Sequence, residues 1–385
     1  MVEPTLAAFI GTMGGRHACH PNTGPFQAEG DTMPQTAELR IPFEVTPVAE
    51  DLEPIRQASL DWLSSNGMLR SAEAKARFVG WKMTELASLF YPQATGEDLL
   101  LGANQMGFFF LFDDQFDDPR GLRNEAVAAY HELIELLQQP PGTPPALDVP
   151  VTRAWAQIWE ESCRGMSLAW QRRAAQDWGR WFTGYPVEAL RRQDCSFDTL
   201  DEYLDFRRSS IGVDPVLSMC ERAQHFEVPL AVFHTPQMQV MRRLTADVTI
   251  LANDVQSLEK EAHRNDVLNA VLLLERTRKL HRNEAIQETA DAVHRMIDEF
   301  EKVEESLNAF CATLQLSDED RENATKYVRL ALGPTMWGNY EWGRTTGRYD
   351  ASSTSHNMRP ADVANYLEDL VSPEPAATTN RTDRS

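Results

Sequence analysis

NEAIQETADAVHRMIDEFEKVEESLNAFCATL, residues 283–314, is the stretch that decides the fold. Apolar residues recur in it every three or four positions among charged ones. They are Ile286, Val293, Ile297, Phe300, Val303, Leu307, Phe310 and Leu314. An α-helix has 3.6 residues per turn, so this spacing places all of them on one face. The stretch therefore predicts a long amphipathic helix that turns this face toward a core.

The same three- and four-residue spacing runs through most of the chain. It covers residues 72–90, 99–117, 123–138, 150–176, 198–210, 238–262 and 318–345. Prolines separate these patterns, because proline lacks the N–H that a helix interior needs. They are Pro92, Pro140, Pro141, Pro144, Pro145, Pro186 and Pro236. Alternating runs typical of strands are almost missing, so we expect an all-α bundle.

Composition and charge narrow the class of protein. The chain has 385 residues, 42% of them hydrophobic, which is enough for a sizeable core. Its net charge of −21 repels nucleic acids and anionic membranes, so we expect neither as a partner. An anionic substrate would have to be bound locally, and a metal ion is the obvious means.

The two ends of the chain lack helical periodicity. We expect residues 1–40 to be a disordered leader and residues 351–385 a C-terminal segment that is flexible beyond about 371. The five cysteines are scattered and odd in number, without metal-ligand spacing, as in a reduced cytoplasmic protein. Without a signal peptide or a bilayer-length apolar run, membrane insertion is not expected.

An acidic cluster follows a run of phenylalanines in FFFLFDDQFDD, residues 108–118. Asp113 and Asp117 are four residues apart, so in a helix both carboxylates project from one face. Carboxylates this close repel one another unless a cation lies between them, and magnesium prefers oxygen ligands. A solvated helix end would also carry such charges, but it would not need the phenylalanines beside them.

A second oxygen-rich motif is NDVQSLEKE, residues 253–261. Asn253, Ser257 and Glu261 recur every four residues and therefore share one helix face. Their amide, hydroxyl and carboxylate oxygens suit one magnesium ion whose other positions hold water and phosphate. An exposed polar face is the alternative. The apolar run that precedes the motif argues against it, because it indicates a buried helix.

Together the two motifs resemble the signatures of bacterial class I terpene synthases, a DDxxD motif and a downstream ND(L/I/V)xSxxxE triad. The resemblance covers about residues 41–350 and implies a single helical catalytic domain around a central apolar pocket. It also implies a cluster of Mg²⁺, usually three ions, held by Asp113, Asp117, Asn253, Ser257 and Glu261. Lys260 stands where many members have a basic residue.

Further positions follow from the same resemblance. Members carry a diphosphate-sensing arginine 46 positions before the triad's asparagine, which falls on Arg207 in FRRSSIG. Ser210 would then be the linker and Ile211 the effector, at a helix break that Gly212 permits. A slip of one residue would give the sensing role to Arg208 instead. An Arg-Tyr pair ends the family's domain, and Arg348 and Tyr349 supply it.

The resemblance implies ionisation of a linear prenyl diphosphate and cyclisation of the carbocation, with diphosphate released. Arg207, Lys260, Arg348 and Tyr349 would bind the diphosphate. Aromatic faces tolerate a carbocation without reacting with it, and Phe109 lies one helical turn before Asp113. The further aromatic candidates for this role are Phe110, Phe112 and Trp337.

Several alternatives stay open. Farnesyl diphosphate is the expected substrate, with geranylgeranyl diphosphate as the alternative of a diterpene cyclase. A prenyl chain-elongating synthase shares the first motif but normally has a second aspartate-rich motif in place of Asn253, Ser257 and Glu261. A non-catalytic helical interaction protein would leave the joint spacing of the motifs unexplained. Family members often dimerise, so a homodimer is one possible assembly, although the sequence does not set the oligomeric state.

Overall fold

The computed structural model describes residues 37–48, 51–116, 124–194, 197–263, 268–349 and 369–372. In chain order the helices are α1 Glu53–Ser65, α2 Ala72–Gly80, α3 Met83–Phe90, α4 Gly96–Phe116, α5 Asn124–Leu136, α6 Pro150–Cys163, α7 Leu168–Asp194, α8 Leu200–Arg207, α9 Val213–Ala223, α10 Leu230–Phe233, α11 Pro236–His263, α12 Ala270–Arg278, α13 Arg282–Thr313, α14 Asp318–Lys326 and α15 Gly333–Gly343. None of the residues in these ranges forms a β-strand, which confirms the all-α prediction.

The long helices α4, α7 and α11 position the residues that the sequence singled out. Helix α4 packs against α1, α3 and α6, while α11 lies along α13 and α15. Helix α9 contacts α4, α7 and α11 and so joins the two halves. The stripe that predicted α13 faces inward at Val293, Ile297 and Phe300, which are fully buried, whereas Phe310 near the end of the helix is exposed. Burying side chains of this size contributes about 1.5–3 kcal/mol each.

An aromatic cluster joins α4, α6 and α7. Its members are Phe108, Phe112, Trp155, Trp178, Trp181 and Phe182. Ring centroids of Trp155 and Trp178 lie 4.3 Å apart. Such ring pairs stabilise a core by about 0.5–1.5 kcal/mol beyond the area they bury. The phenylalanine run beside the acidic cluster is therefore partly structural.

Several sequence predictions of helix boundaries were wrong. Residues 72–90 form two helices, because Lys82 takes a left-handed conformation with φ 57°. Residues 150–176 are likewise divided near Gly165, which has φ 80°. In residues 318–345 a π-helical turn, Tyr327–Leu332, separates α14 from α15. Conversely, α7 continues across Pro186, where the sequence pattern predicted a break.

Short segments before and after the bundle also pack on it. Leu39 is buried and donates its backbone N–H to the hydroxyl of Tyr340 at 3.2 Å. Near the C-terminus, Leu370 is buried and bonds through its N–H to the side-chain oxygen of Gln115 at 3.3 Å. Most of the predicted leader, residues 1–36, and residues 350–368 and 373–385 lie outside the described ranges.

Across the described ranges, no helix is long and apolar enough to cross a bilayer.

Candidate active site

A cavity of about 140 Å³ lies between α3, α4, α7, α9, α11 and α15. Its walls are apolar and include Leu86, Phe90, Met106, Phe109 and Val216. Most of the site residues predicted from the sequence also line it, namely Asp113, Arg207, Ser210, Ile211, Gly212, Asn253, Lys260, Glu261, Arg348 and Tyr349. We call it the catalytic cavity. It combines hydrocarbon walls with strongly polar groups.

The first acidic motif lies at the end of α4. Arg348 donates from Nη2 to Oδ2 of Asp113 at 2.7 Å and to Oδ1 of Asp114 at 2.8 Å. The Tyr185 hydroxyl bonds to the other carboxylate oxygen of Asp113. Burial opposes the charge of Arg348, but the carboxylates of Asp114 and Asp113 raise its pKa above the ordinary value. Asp117, the second predicted ligand of this motif, lies outside the described residues.

The second motif lies on α11 and is contacted by side chains from later in the chain. Asn253 donates its amide nitrogen to the Tyr349 hydroxyl at 2.6 Å. Glu261 accepts the side-chain amide of Asn269 at 2.8 Å. Ser257 is buried, donates to the backbone oxygen of Asn253 at 2.8 Å, and does not itself line the cavity. The helix thus brings an amide, a hydroxyl and a carboxylate to one face.

Asp254 supports the second motif from behind and had no role in the sequence prediction. It is fully buried and accepts the Tyr203 hydroxyl at 2.7 Å and the N–H of Ala270 at 2.8 Å. Burial is the main reason that its pKa rises to about 6. The residue links α11 to α8 and α12, so it fixes the direction in which the neighbouring Asn253 projects.

Arg207 lies in the cavity wall at the end of α8. Its Nη1 bonds Glu188 at 2.6 Å and the Ser210 hydroxyl at 3.1 Å. Burial opposes its charge, but Glu188 raises its pKa well above the ordinary value. The Arg207 Nε is buried without a hydrogen-bond partner. Gly212 ends this segment with φ 81°, a conformation that costs glycine little.

Arg208, the alternative sensor, points away from the catalytic cavity. It pairs with Asp247 at 2.9 Å and with Asp205. Arg208 and Asp205 border a second cavity of about 760 Å³, which we call the arginine cavity. The arginines that line it are Arg173, Arg180, Arg208, Arg242 and Arg243. Among the described residues, only Trp181 and Gly212 line both cavities.

Aromatic rings supply much of the catalytic cavity wall. Phe109 stacks on Trp178 with centroids 4.8 Å apart and meets Trp181 edge-on at 4.6 Å. Phe110 lies beneath the Arg348 guanidinium at 4.7 Å. Lys260 Nζ lies 5.9 Å from the Tyr349 ring centroid. The other two aromatic candidates, Phe112 and Trp337, do not line the cavity.

The donor set fits a hard divalent cation. Asp113, Asn253, Ser257 and Glu261 offer only oxygen atoms, which are the ligands that Mg²⁺ prefers. Among the described residues no three His, Cys, Asp or Glu side chains gather as a closed metal cluster. That is expected of the second motif, which offers a single carboxylate as a ligand, because Mg²⁺ keeps water and substrate oxygens in its remaining positions.

Tyr185 and Glu188 are contacts that the sequence prediction missed. Both line the catalytic cavity from α7, and they bond to Asp113 and Arg207 respectively. With Trp181 they occur at i, i+4 and i+7, which is one face of a helix. That spacing could have revealed the face. Which motifs it contacts depends on tertiary packing.

Comparisons with known proteins agree with this geometry. The family description "Terpene synthase family 2, C-terminal metal binding" matches residues 105–299. A (-)-beta-caryophyllene synthase of Saccharothrix espanaensis, described as farnesyl diphosphate cyclizing, is 43% identical over 88% of this chain and 94% of its own. A pentalenene synthase of Streptomyces exfoliatus is 36% identical over 88% of this chain and 99% of its own.

Solved structures are similar as well. The crystal structure of an α-eudesmol synthase superposes with a TM-score of 0.74 at 34% identity, covering 81% of this chain and all of the other. A germacradien-4-ol synthase of Streptomyces citricolor gives 0.70 at 32% identity, covering 80% of this chain and 99% of the other. The fold, the two oxygen-rich motifs and these relatives lead to one conclusion: the chain belongs to the bacterial class I terpene synthases, lyases that act on prenyl diphosphates.

Proposed function

We propose that this enzyme ionises farnesyl diphosphate in the catalytic cavity and cyclises the cation to a sesquiterpene hydrocarbon or alcohol. One observation carries the proposal. A small cavity has a lining divided between apolar side chains and a polar set made up of Asp113, Asn253, Glu261, Arg207 and Arg348. A prenyl diphosphate has the same division, with all its charge at one end and hydrocarbon at the other.

The polar set would hold the diphosphate. A guanidinium binds phosphate oxygens through two parallel N–H bonds, and Arg207 still has an unpartnered Nε. Lys260 adds a point charge, and the Tyr349 hydroxyl adds one donor beside Arg348. Arg207 and Tyr349 are held in the cavity wall before the substrate binds, so they need little reorganisation as negative charge develops on the leaving group. Arg348 would exchange its bonds to Asp113 and Asp114 for phosphate oxygens when metal binds those carboxylates.

Magnesium is the implied cofactor, and we propose three ions held by Asp113, Asp117, Asn253, Ser257 and Glu261. When bound, the ions would neutralise the departing diphosphate and lower the barrier to C–O cleavage. The protein's own contribution is the spacing between the two oxygen-rich motifs and the exclusion of water from the catalytic cavity. Arg348 already neutralises part of the negative charge of the first motif.

The apolar walls would shape and protect the cation. Water quenches a carbocation, so the rings around Phe109 serve as an unreactive surface that offers negative π density. The farnesyl chain length is supported by relatives whose names specify farnesyl diphosphate, among them the caryophyllene synthase and a 7-epi-alpha-eudesmol synthase of Streptomyces viridochromogenes.

Incubation of the purified protein with Mg²⁺ and the C10, C15 or C20 diphosphate tests the proposal. We expect a cyclic C15 product by gas chromatography and mass spectrometry, and none after EDTA treatment. A C20 product in place of the C15 product would indicate a diterpene cyclase. A longer diphosphate, formed when isopentenyl diphosphate is added, would indicate chain elongation and contradict the proposal.

Three wider features belong to the same proposal. The catalytic domain would span residues 41–350, between a leader and a C-terminal segment. The enzyme would act in the cytoplasm, which free thiols such as Cys163, Cys220 and Cys311 support. The homodimer stays a prediction that sedimentation velocity can test.

A further inference from the structure

Helix α7 contacts the Arg207–Gly212 segment through one face. Trp181, Gly184 and Glu188 lie on successive turns of that helix, and each meets a different part of the segment. Glu188 bonds Arg207. The other two contacts involve the backbone that follows it, where the departing diphosphate is expected to lie.

Trp181 fixes a peptide group in this segment. Its indole Nε1–H donates to the backbone oxygen of Ser210 at 2.9 Å. On the other side of the same planar peptide, the Ile211 N–H donates to the Arg207 oxygen at 3.0 Å. With both ends of the peptide anchored, its plane cannot rotate. Only the torsions within Ile211 and Gly212 still direct the Ile211 carbonyl.

Gly184 allows the backbone to come this close. A Cβ built on it would lie 2.6 Å from the backbone oxygen of Ser209 and 2.9 Å from its carbonyl carbon. Real Cβ atoms do not approach backbone so closely, so any larger residue would push the segment away from α7. Gly179 lies five residues earlier in the helix. Among the described residues outside the helix's own backbone, a Cβ built on it would meet only a Leu137 side-chain carbon within 4 Å, at 3.8 Å.

We propose that Trp181 and Gly184 are positioning residues for the ionisation step. They set the distance and orientation of the Ser209–Ile211 backbone, and thereby the direction of the Ile211 carbonyl relative to the diphosphate. They act through the segment and not by binding the diphosphate themselves. This inference rests on the function proposed above.

The test compares two matched pairs of variants. Trp181→Phe keeps a ring against Phe109 but loses the N–H donor. Its control is Trp155→Phe in the same aromatic cluster, which loses a buried indole bond to the Leu133 oxygen and not to the segment. Gly184→Ala is matched by Gly179→Ala on the same helix. The rate of diphosphate release is measured in a single turnover of farnesyl diphosphate with Mg²⁺, together with the melting temperature and the product ratio.

We expect Trp181→Phe to slow single-turnover release by about tenfold, the loss that one hydrogen bond of this kind can produce. Gly184→Ala should also slow release, because the added methyl pushes the Ser209 backbone away from α7. The two controls should release diphosphate at the wild-type rate. Wild-type rates in both test variants, or equal slowing in test and control variants, would overturn the positioning role. A Trp181→Phe variant with altered products but unchanged release would also overturn it, because Trp181 would then be only a wall. Failure of the wild-type enzyme to release diphosphate would overturn the proposed function itself.

Discussion

The catalytic cavity and the arginine cavity share Trp181 and Gly212, yet they differ in the kinds of groups that line them. In the arginine cavity each lining arginine is paired with a carboxylate, as in Arg242 with Asp214 at 2.7 Å and Arg173 with Glu221 at 3.0 Å. The cavity is the larger of the two, but these pairs cancel its charge. Volume alone would therefore select the wrong site.

The catalytic cavity is smaller and chemically divided. Its lining combines charged groups that pair with one another, such as Arg348 with Asp113 and Arg207 with Glu188, with aromatic and aliphatic side chains. Arg207 and Arg208 mark the contrast, because neighbouring residues of a helix project about 100° apart and so reach different cavities. A site for an amphiphilic anion is therefore recognised by a cavity whose lining includes both charged side chains and hydrocarbon side chains.

The largest expected effect separates the two arginines. Arg207→Lys loses the planar fork and the unpartnered Nε, so kcat/KM for farnesyl diphosphate should fall by about 10- to 100-fold. Arg208→Lys should stay within about threefold, since it keeps a charge beside Asp247 and faces the other cavity. Steady-state kinetics on both variants measures this. Equal losses would remove the distinction between the cavities.

The second oxygen-rich motif provides the next contrast between the catalytic cavity and the arginine cavity. Glu261→Gln keeps an oxygen for Asn269 but loses the charge that a hard cation prefers. The Mg²⁺ concentration for half-maximal activity should rise at least about tenfold, because even changes in the outer shell of a metal site cost that much. Asp205→Asn, at the arginine cavity, serves as the control and should not shift the Mg²⁺ titration. If Asp205→Asn alone shifted the Mg²⁺ titration, the result would place the metal at the arginine cavity and contradict the proposal.

A smaller effect is expected from filling each cavity. Val216→Phe enlarges a catalytic-cavity wall and should change the product ratio while costing about 1–3 kcal/mol of stability by overpacking. Gln239→Trp places a large ring at the arginine cavity and should leave products unchanged. Product analysis and thermal melting separate these outcomes. A product change in Gln239→Trp but not in Val216→Phe would reverse the assignment.

Much of the fold follows from sequence, because amphipathic spacing such as that of residues 283–314 survives in the helix Arg282–Thr313. Local breaks were harder to predict. Lys82 takes a left-handed conformation that no glycine marks, and Pro186 lies inside a helix. Periodicity describes one helix at a time, so it cannot report these effects.

The site shows the same limit. Motif spacing identified Asn253, Glu261 and Arg207, and the structure places all three at one cavity. The partners that hold these residues, Tyr349 for Asn253 and Glu188 for Arg207, come from distant parts of the chain. No local pattern encodes such pairings. Trp181 and Gly184 were missed because their roles depend on how closely α7 approaches the next segment.

A crystal structure with Mn²⁺ and inorganic diphosphate tests the central claim most directly. Manganese replaces magnesium in oxygen sites and gives an anomalous signal that locates each ion. We predict Mn²⁺ peaks in the catalytic cavity, between Asp113 and the Asn253, Ser257 and Glu261 side chains, with the diphosphate against Arg207. Peaks beside Asp177 or Asp214 in the arginine cavity, with diphosphate bound there, would contradict the account.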